Sequence, residues 1–151
     1  MRVDDLMEHE VVTLHVDDTL GLADDIMRLG RIRHLPVVSA EGALVGILSQ
    51  RDLFRAALSS VLGGDATAQR DWLGSVHVRD VMTAAPVTVP PETPVRRAVE
   101  LMLTRRIGCL PVVSDTRLVG LLSETDCLRH LAHVLRLAEE RAALPDVGRM
   151  S

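Results

Sequence analysis

The apolar residues of the chain follow the same order of patterns twice: short apolar runs, typical of strands, alternate with a helical spacing. One helical spacing is clearest in the second half, where apolar residues recur at i, i+3, i+4 and i+7: Val95, Ala98, Val99 and Met102. Thr93 is the predicted N-cap of this helix and Pro94 its first residue. In the first half, Thr19 or Asp18 is the predicted cap of the equivalent helix.

The apolar runs predict three strands in each half, at 11–14, 35–38 and 44–48 and again at 87–89, 110–113 and 118–122. Strands that are apolar throughout are expected to be covered on both faces. A helix closes each half, beginning at Ser49 in the first and at Ser123 in the second. The second closing helix extends roughly from Glu124 to Leu144, and its apolar residues predict that a further surface covers it.

The two halves are copies of one unit, because the same residues recur 75 positions apart. Asp5-Leu6-Met7 corresponds to Asp80-Val81-Met82, and the segment 35–39 corresponds to 110–114. After the loss of one residue in a turn, the segment 46–52 corresponds to 120–126. A single unit of ~55 residues buries too little surface to be stable alone, so the two are expected to pack together.

These correspondences divide the chain into four parts. We assign repeat 1 to residues 1–58, a linker to 59–76, repeat 2 to 77–132, and a C-terminal helix extension and tail to 133–151. The linker contains Gly63-Gly64-Asp65 and Gly74, which are typical of connecting segments.

Composition narrows the classes of function. The chain has 151 residues and a net charge of −4, and this acidic balance disfavours nucleic-acid binding. Cys109 and Cys127 lack metal spacing, which favours a reduced protein. Since no apolar run approaches ~20 residues and the N-terminus has no signal-peptide pattern, no membrane segment is predicted and a cytoplasmic location is expected.

One short motif that can carry chemistry occurs twice, as glycine, two apolar residues, serine, two variable residues and aspartate. At a helix start, Ser49 or Ser123 can bond a phosphate oxygen beside the positive end of the helix. Asp52 or Asp126, one turn later, can accept the hydroxyls of a ribose, and the glycine would allow a ligand to approach closely. The alternative is a capping box, in which the aspartate accepts the N–H of its own serine.

The whole pattern resembles a tandem pair of cystathionine beta-synthase (CBS) domains, known as a Bateman module. The resemblance rests on the segments 5–7, 12–13, 31–38 and 46–52 and on their counterparts 81–82, 87–88, 107–113 and 120–126. It implies an α/β (α+β) fold of two βαββα units that pack by pseudo-two-fold symmetry, with two ligand clefts between them. It also implies pairing into disc-shaped dimers and binding of AMP, ADP, ATP or S-adenosylmethionine.

The resemblance assigns ligand-binding roles to equivalent residues of both repeats. They are Thr13, Arg33, His34, Leu35, Pro36, Ser49, Arg51 and Asp52 in the first repeat, and Thr88, Gly108, Cys109, Leu110, Pro111, Ser123, Thr125 and Asp126 in the second. The serines would contact phosphate, the aspartates ribose, and the threonines and pre-proline segments the adenine. Because Arg51 is matched by Thr125, the two clefts are expected to be unequal. We expect Arg31, Arg33 and Arg51 around one cleft, with Arg105, Arg106 and Arg129 near the other.

These observations together favour a regulatory module over an enzyme. No catalytic triad, paired catalytic carboxylates or P-loop lysine can be placed, and His130 and His133 lack a third metal ligand. We expect no obligatory cofactor (Mg²⁺ would accompany ATP), a homodimer formed through helix faces, and an effector protein of unknown identity. The alternative is a ligand-free interaction scaffold whose repeated motifs are helix caps only.

Overall fold

A computed structural model of the chain describes residues 1–60 and 66–145. The helices are α1 (Val3–Leu6), α2 (Leu20–Gly30), α3 (Gln50–Ser60), α4 (Ala66–Ser75), α5 (Val95–Arg105) and α6 (Glu124–Ala143). The strands are β1 (Leu14–His15), β2 (His34–Val38), β3 (Leu44–Ser49), β4 (Thr83–Ala84), β5 (Cys109–Ser114) and β6 (Arg117–Ser123). The Gly63-Gly64-Asp65 part of the predicted linker and the end of the tail, 146–151, lie outside the described residues.

Each half forms a small sheet with the same arrangement. In the first half the strand order is β1-β2-β3-β4, with β1 parallel to β2 and the other neighbours antiparallel. In the second half β5 pairs antiparallel with β6, and single bridges join Val89 to Val112 and Glu8 to Leu121 at the two edges. The duplicated sequence therefore gives a duplicated sheet, and the mixed α/β fold that the sequence predicted is confirmed.

The first residues of each repeat pack on the other repeat. Val3 and Met7 belong to the apolar core of the second half, whereas Val78 and Met82 pack in or against the core of the first. A backbone hydrogen bond also joins the two repeats at the start of α5, where the Val95 N–H donates to the Met1 carbonyl at 3.1 Å. The two repeats are interlocked rather than merely adjacent, because each completes the core of its partner.

The structure moves two predicted boundaries. Pro94, not Thr93, is the N-cap of α5, and no side chain caps this helix; the Met1 carbonyl satisfies the first N–H instead. Thr19 caps α2 by accepting the Leu22 N–H at 3.2 Å. The predicted first strands are largely wrong: β1 keeps only Leu14 of the segment 11–14 and adds His15, and the segment 87–89 is reduced to a single bridge at Val89.

The segment assigned to the linker contains a ten-residue helix, α4. This helix packs against α2, and its Leu73 is buried in the core of the first half. Glycine and polar residues concealed the helix, because one buried leucine and the half-buried Trp72 supply most of its apolar contact. Among the described helices, none combines the length and the apolar character that crossing a bilayer requires.

Candidate functional site

A cleft of about 1120 Å³ opens between the two repeats. Its first wall is the corner where β3 passes into α3, from Ile47 to Arg55. Its second wall is formed by β5 and the end of α5, and the segment from Thr83 to Val87 closes one side. The cleft thus combines the glycine-to-aspartate motif of one repeat with the pre-proline segment of the other.

Both copies of the motif form capping boxes. Asp52 Oδ2 accepts the Ser49 N–H at 3.0 Å and the Asp52 N–H donates to Ser49 Oγ at 3.0 Å. In the second copy, Asp126 Oδ2 and Ser123 Oγ accept the equivalent bonds at 2.9 and 3.2 Å. The capping alternative therefore describes the geometry of both corners. Since each carboxylate has about four acceptor positions on two oxygens, a cap leaves capacity for a ligand at the cleft-facing Asp52.

The corner of the first repeat is fixed to the adjoining strand. The Gln50 N–H, at the start of α3, donates to the Arg33 carbonyl at 2.8 Å, and the Glu124 N–H donates to the Gly108 carbonyl at 2.9 Å. These bonds hold each pre-proline segment against its own helix start. The anion-attracting end of α3 consequently has a defined position in the cleft wall.

The repeated glycines do not serve the purpose that the sequence predicted. A Cβ at Gly46 would overlap Met82 Sδ, and one at Gly120 would overlap Met7 Sδ. Each glycine leaves room for a methionine from the first residues of the other repeat, so the prediction that it allows close approach of a ligand is wrong. The segments 5–7 and 80–82, which end in these methionines, therefore pack together with the glycines.

Four arginines line the cleft: Arg33, Arg51, Arg55 and Arg106. The predicted grouping is wrong in part, because Arg106 lies with Arg33 and Arg51, whereas Arg31 is not among the lining residues. The reason is topological: this cleft combines the corner of the first repeat with the strand starts of both repeats, and Arg106 stands directly before the second of them. Arg105 and Arg129 are likewise absent from this lining.

Two residues before the prolines face the cleft with perturbed acidity. Burial lowers the pKa of His34 and Arg33 lowers it further, while Glu124 and Asp52 act in the opposite direction. Burial, aided by Asp126, raises the pKa of the Cys109 thiol to about 12, so this thiol is protonated at neutral pH. Burial also raises the pKa of Cys127. Both cysteines have the character of packed, unreactive thiols.

The remaining predicted residues are distributed between the cores and other surfaces. Leu35 and Leu110 are 0% exposed and lie in the two apolar cores, so only their backbones are available to a ligand. Pro36 and Pro111 are both buried, and Pro111, Gly108 and Cys109 are among the residues around the cleft. Thr13 lines a separate cavity of about 250 Å³. Outside both linings, besides Leu35, Pro36 and Leu110, lie Thr88, Ser123, Thr125 and Asp126.

Several cleft residues were missed by the sequence reasoning. Arg55 lies one helical turn beyond Arg51, and Glu124 presents its carboxylate 3.2 Å from where a Cβ of Gly108 would stand. Helical spacing from Arg51 was the available signal for Arg55. For metals, the described ranges 1–60 and 66–145 hold no group of three or more potential ligands, and the rings of His130 and His133 are 6.5 Å apart.

This arrangement of two interlocked βαββα units around a shared cleft defines a tandem-repeat module. The chain belongs to the CBS domain family, whose model matches residues 3–59 and 78–133. A CBS domain-containing protein of Dictyostelium discoideum is 34% identical over 88% of this chain and 92% of its own length. Inosine-5'-monophosphate dehydrogenase of Methanocaldococcus jannaschii is also 34% identical, but the match spans 85% of this chain and only 23% of that enzyme.

Solved structures show the same fold. A Vibrio cholerae protein named for acetoin utilization (AcuB) superposes with a TM-score of 0.80 at 32% identity, covering 92% of this chain and 97% of that one. The CBS domain pair of protein MJ0100, in complex with 5'-methylthioadenosine and S-adenosyl-L-methionine, superposes with a TM-score of 0.73 at 26% identity. That match covers 87% of this chain and 99% of the domain pair. The paired-repeat architecture implied by the resemblance is confirmed.

Proposed function

We propose that this protein is a regulatory module that binds an adenine nucleotide or S-adenosylmethionine in the cleft between its repeats. The observation that carries the proposal is the meeting of Ser49 and Asp52, at the start of α3, with the Gly108–Cys109 segment of the other repeat. The serine and the helix amides suit a phosphate, and the free acceptor capacity of Asp52 suits a ribose. The complexed domain pair of MJ0100 supports a ligand of the adenosyl class.

The mechanism follows from the position of the cleft. A ligand that touches both walls stabilises one relative arrangement of the repeats by its differential affinity for that arrangement. At a hundred times its dissociation constant it would stabilise the bound form by about 2.7 kcal/mol. The output is a change in self-assembly or in the binding of an effector protein, and no catalytic step is proposed. Cys109 and Cys127 are free, in keeping with action in the reducing cytoplasm.

A second candidate is the ligand-free scaffold. It is favoured by the two capping boxes, which already employ both aspartates, and by the exposed leucines of α6. On this alternative the module would act only by joining protein surfaces, and the cleft would have no occupant.

The two candidates are separated by calorimetric titration with AMP, ADP, ATP, 5'-methylthioadenosine and S-adenosylmethionine. Asp52→Ala and Asp126→Ala each remove one capping box, so each is expected to lose about 1 kcal/mol of stability. If the cleft binds the ligand, Asp52→Ala abolishes that binding while Asp126→Ala retains binding in this cleft. Absence of a heat signal with every compound in the wild type would leave the scaffold as the function.

A further inference from the structure

The cleft holds guanidinium groups that have no acidic partner. Four other arginines of the described residues form salt bridges of 2.7–3.0 Å: Arg2 with Asp4, Arg28 with Asp24, Arg79 with Asp17 and Arg96 with Glu100. Within residues 1–60 and 66–145, no salt bridge involves Arg33, Arg51, Arg55 or Arg106. These four donors are therefore available to an anion from solution.

The carboxylates in the cleft do not cancel this charge. Asp52 accepts the Ser49 N–H through one oxygen, and Glu124 lies beside Gly108 on the opposite wall. Two carboxylates thus face four guanidinium groups. Burial keeps His34 toward its neutral form, so the cleft has an excess of fixed positive charge at neutral pH.

Part of this excess is specific to the cleft that the first corner lines. The second repeat has Thr125 at the place of Arg51, and Glu8 and Glu10 stand 75 positions before Thr83 and Ala85. At the second corner, a neutral residue therefore replaces the cation Arg51, and two glutamates replace the neutral residues Thr83 and Ala85. Arg55 and Arg106 have arginine counterparts in Arg129 and Arg31, so the features that distinguish this cleft are Arg51 and the neutral residues at 83 and 85.

We propose that this cleft selects its adenosyl ligand by the phosphate chain, with affinity rising from AMP through ADP to ATP and discriminating against S-adenosylmethionine. The proposal rests on the proposed function and narrows its ligand class. S-adenosylmethionine carries a sulfonium cation, which is repelled by arginine, and 5'-methylthioadenosine offers no phosphate to any of the four side chains. Guanidinium groups match phosphate oxygens through paired hydrogen bonds, and each added phosphate supplies further charge.

Arg106 permits a sharp test because its backbone is left-handed. It has φ 54°, and Arg31, the equivalent residue in the first repeat, has φ 52°. Glycine accepts this conformation without steric cost, so Arg106→Gly and Arg31→Gly both preserve the helix end. Only Arg106 lines the cleft, which makes Arg31→Gly the matched control. Arg51→Thr serves as a second test, since it installs the residue that the second repeat has at this place.

The five compounds are titrated calorimetrically into the intact chain, in EDTA so that no divalent cation screens the phosphates. We expect ATP to bind most tightly, and Arg106→Gly and Arg51→Thr each to weaken ATP binding about tenfold or more. Arg31→Gly should leave the ATP affinity within about twofold of the wild type, and added salt should weaken ATP binding more than binding of 5'-methylthioadenosine.

The outcomes separate this proposal from the one on which it depends. If S-adenosylmethionine or 5'-methylthioadenosine binds as tightly as ATP, phosphate selection is wrong and the ligand-binding function stands. Equal losses in Arg106→Gly and Arg31→Gly also contradict selection by the cleft arginines. If no compound binds, the proposed function itself is wrong.

Discussion

The sulfur of Met82 lies against Gly46 in the middle of β3, in a space that the absence of a side chain creates. Met7 and Gly120 repeat this relationship in the second half. In both, the backbone carbonyl of the residue after the methionine also approaches the glycine, at 3.0 Å for Thr83 and 2.9 Å for Glu8 from an ideal Cβ position. This contact is where the first residues of one repeat are held against the sheet of the other.

Substitution Gly46→Ala should therefore destabilise the fold. The added Cβ would overlap Met82 Sδ and press on the Thr83 carbonyl, which β4 pairing holds in place. Overpacking of this kind costs about 1–3 kcal/mol, and urea unfolding followed by circular dichroism would measure it. Gly74→Ala is the control, because a Cβ there meets nothing within 4 Å and alanine favours the helix.

A double variant distinguishes the methionine contact from a backbone effect. If Met82→Ala is combined with Gly46→Ala, the overlap is relieved. The double variant should therefore lose less stability than the sum of the losses in the two single variants. Fully additive losses would show that the glycine is needed for some reason other than Met82.

The sequence predicted what each repeat contains but not how the repeats combine. Apolar runs located β2, β3, β5 and β6 to within a residue or two, and serine followed by aspartate located both helix starts, because these signals are local. A repeat shows that two halves are alike, whereas it does not show which corner faces which strand. Arg106 was therefore grouped with the wrong residues.

The roles of single residues were also ambiguous for a physical reason. Glycine next to a ligand and glycine next to Met82 both require close approach, so the one-letter pattern is the same for both. Helix α4 was missed because its burial depends on Leu73 meeting a core that other segments build. In each case the deciding contact is distant in the sequence.

The stability of the fold should depend on pH through His34. Its pKa is lowered in the folded protein, chiefly by burial, so the unfolded chain takes up the proton first as the pH falls. The unfolded state then binds more protons than the folded state. The free energy of unfolding therefore decreases as the pH falls below the ordinary histidine pKa of about 6.5. Above that pH both states are neutral at this ring and the contribution of His34 is constant.

Comparison of the wild type with His34→Gln isolates this group, since every other titrating residue is shared. The difference in unfolding free energy between the two proteins should be constant from about pH 7.5 upward and should shift against the wild type between about pH 6.5 and 5. A difference that is independent of pH, or one that shifts in favour of the wild type on acidification, would mean that burial does not dominate at this ring.

Self-assembly is predicted to occur through α6, where a stripe of leucines is exposed. Leu128, Leu131 and Leu135 are 62%, 50% and 52% exposed and lie on one side of the helix by their i, i+3, i+7 spacing. Contiguous exposed apolar surface of this kind marks an interaction site, and a second copy of the chain can offer the same stripe in return. Light scattering at micromolar concentration should thus give twice the chain mass of 16.5 kDa.

Leu131→Glu combined with Leu135→Glu should reduce the mass to that of one chain, since two buried carboxylates would face their symmetry mates. Leu29→Glu is the control, because Leu29 is 89% exposed at the end of α2 and outside the stripe. A wild-type mass of one chain would contradict assembly through α6 and leave this stripe free for the effector protein.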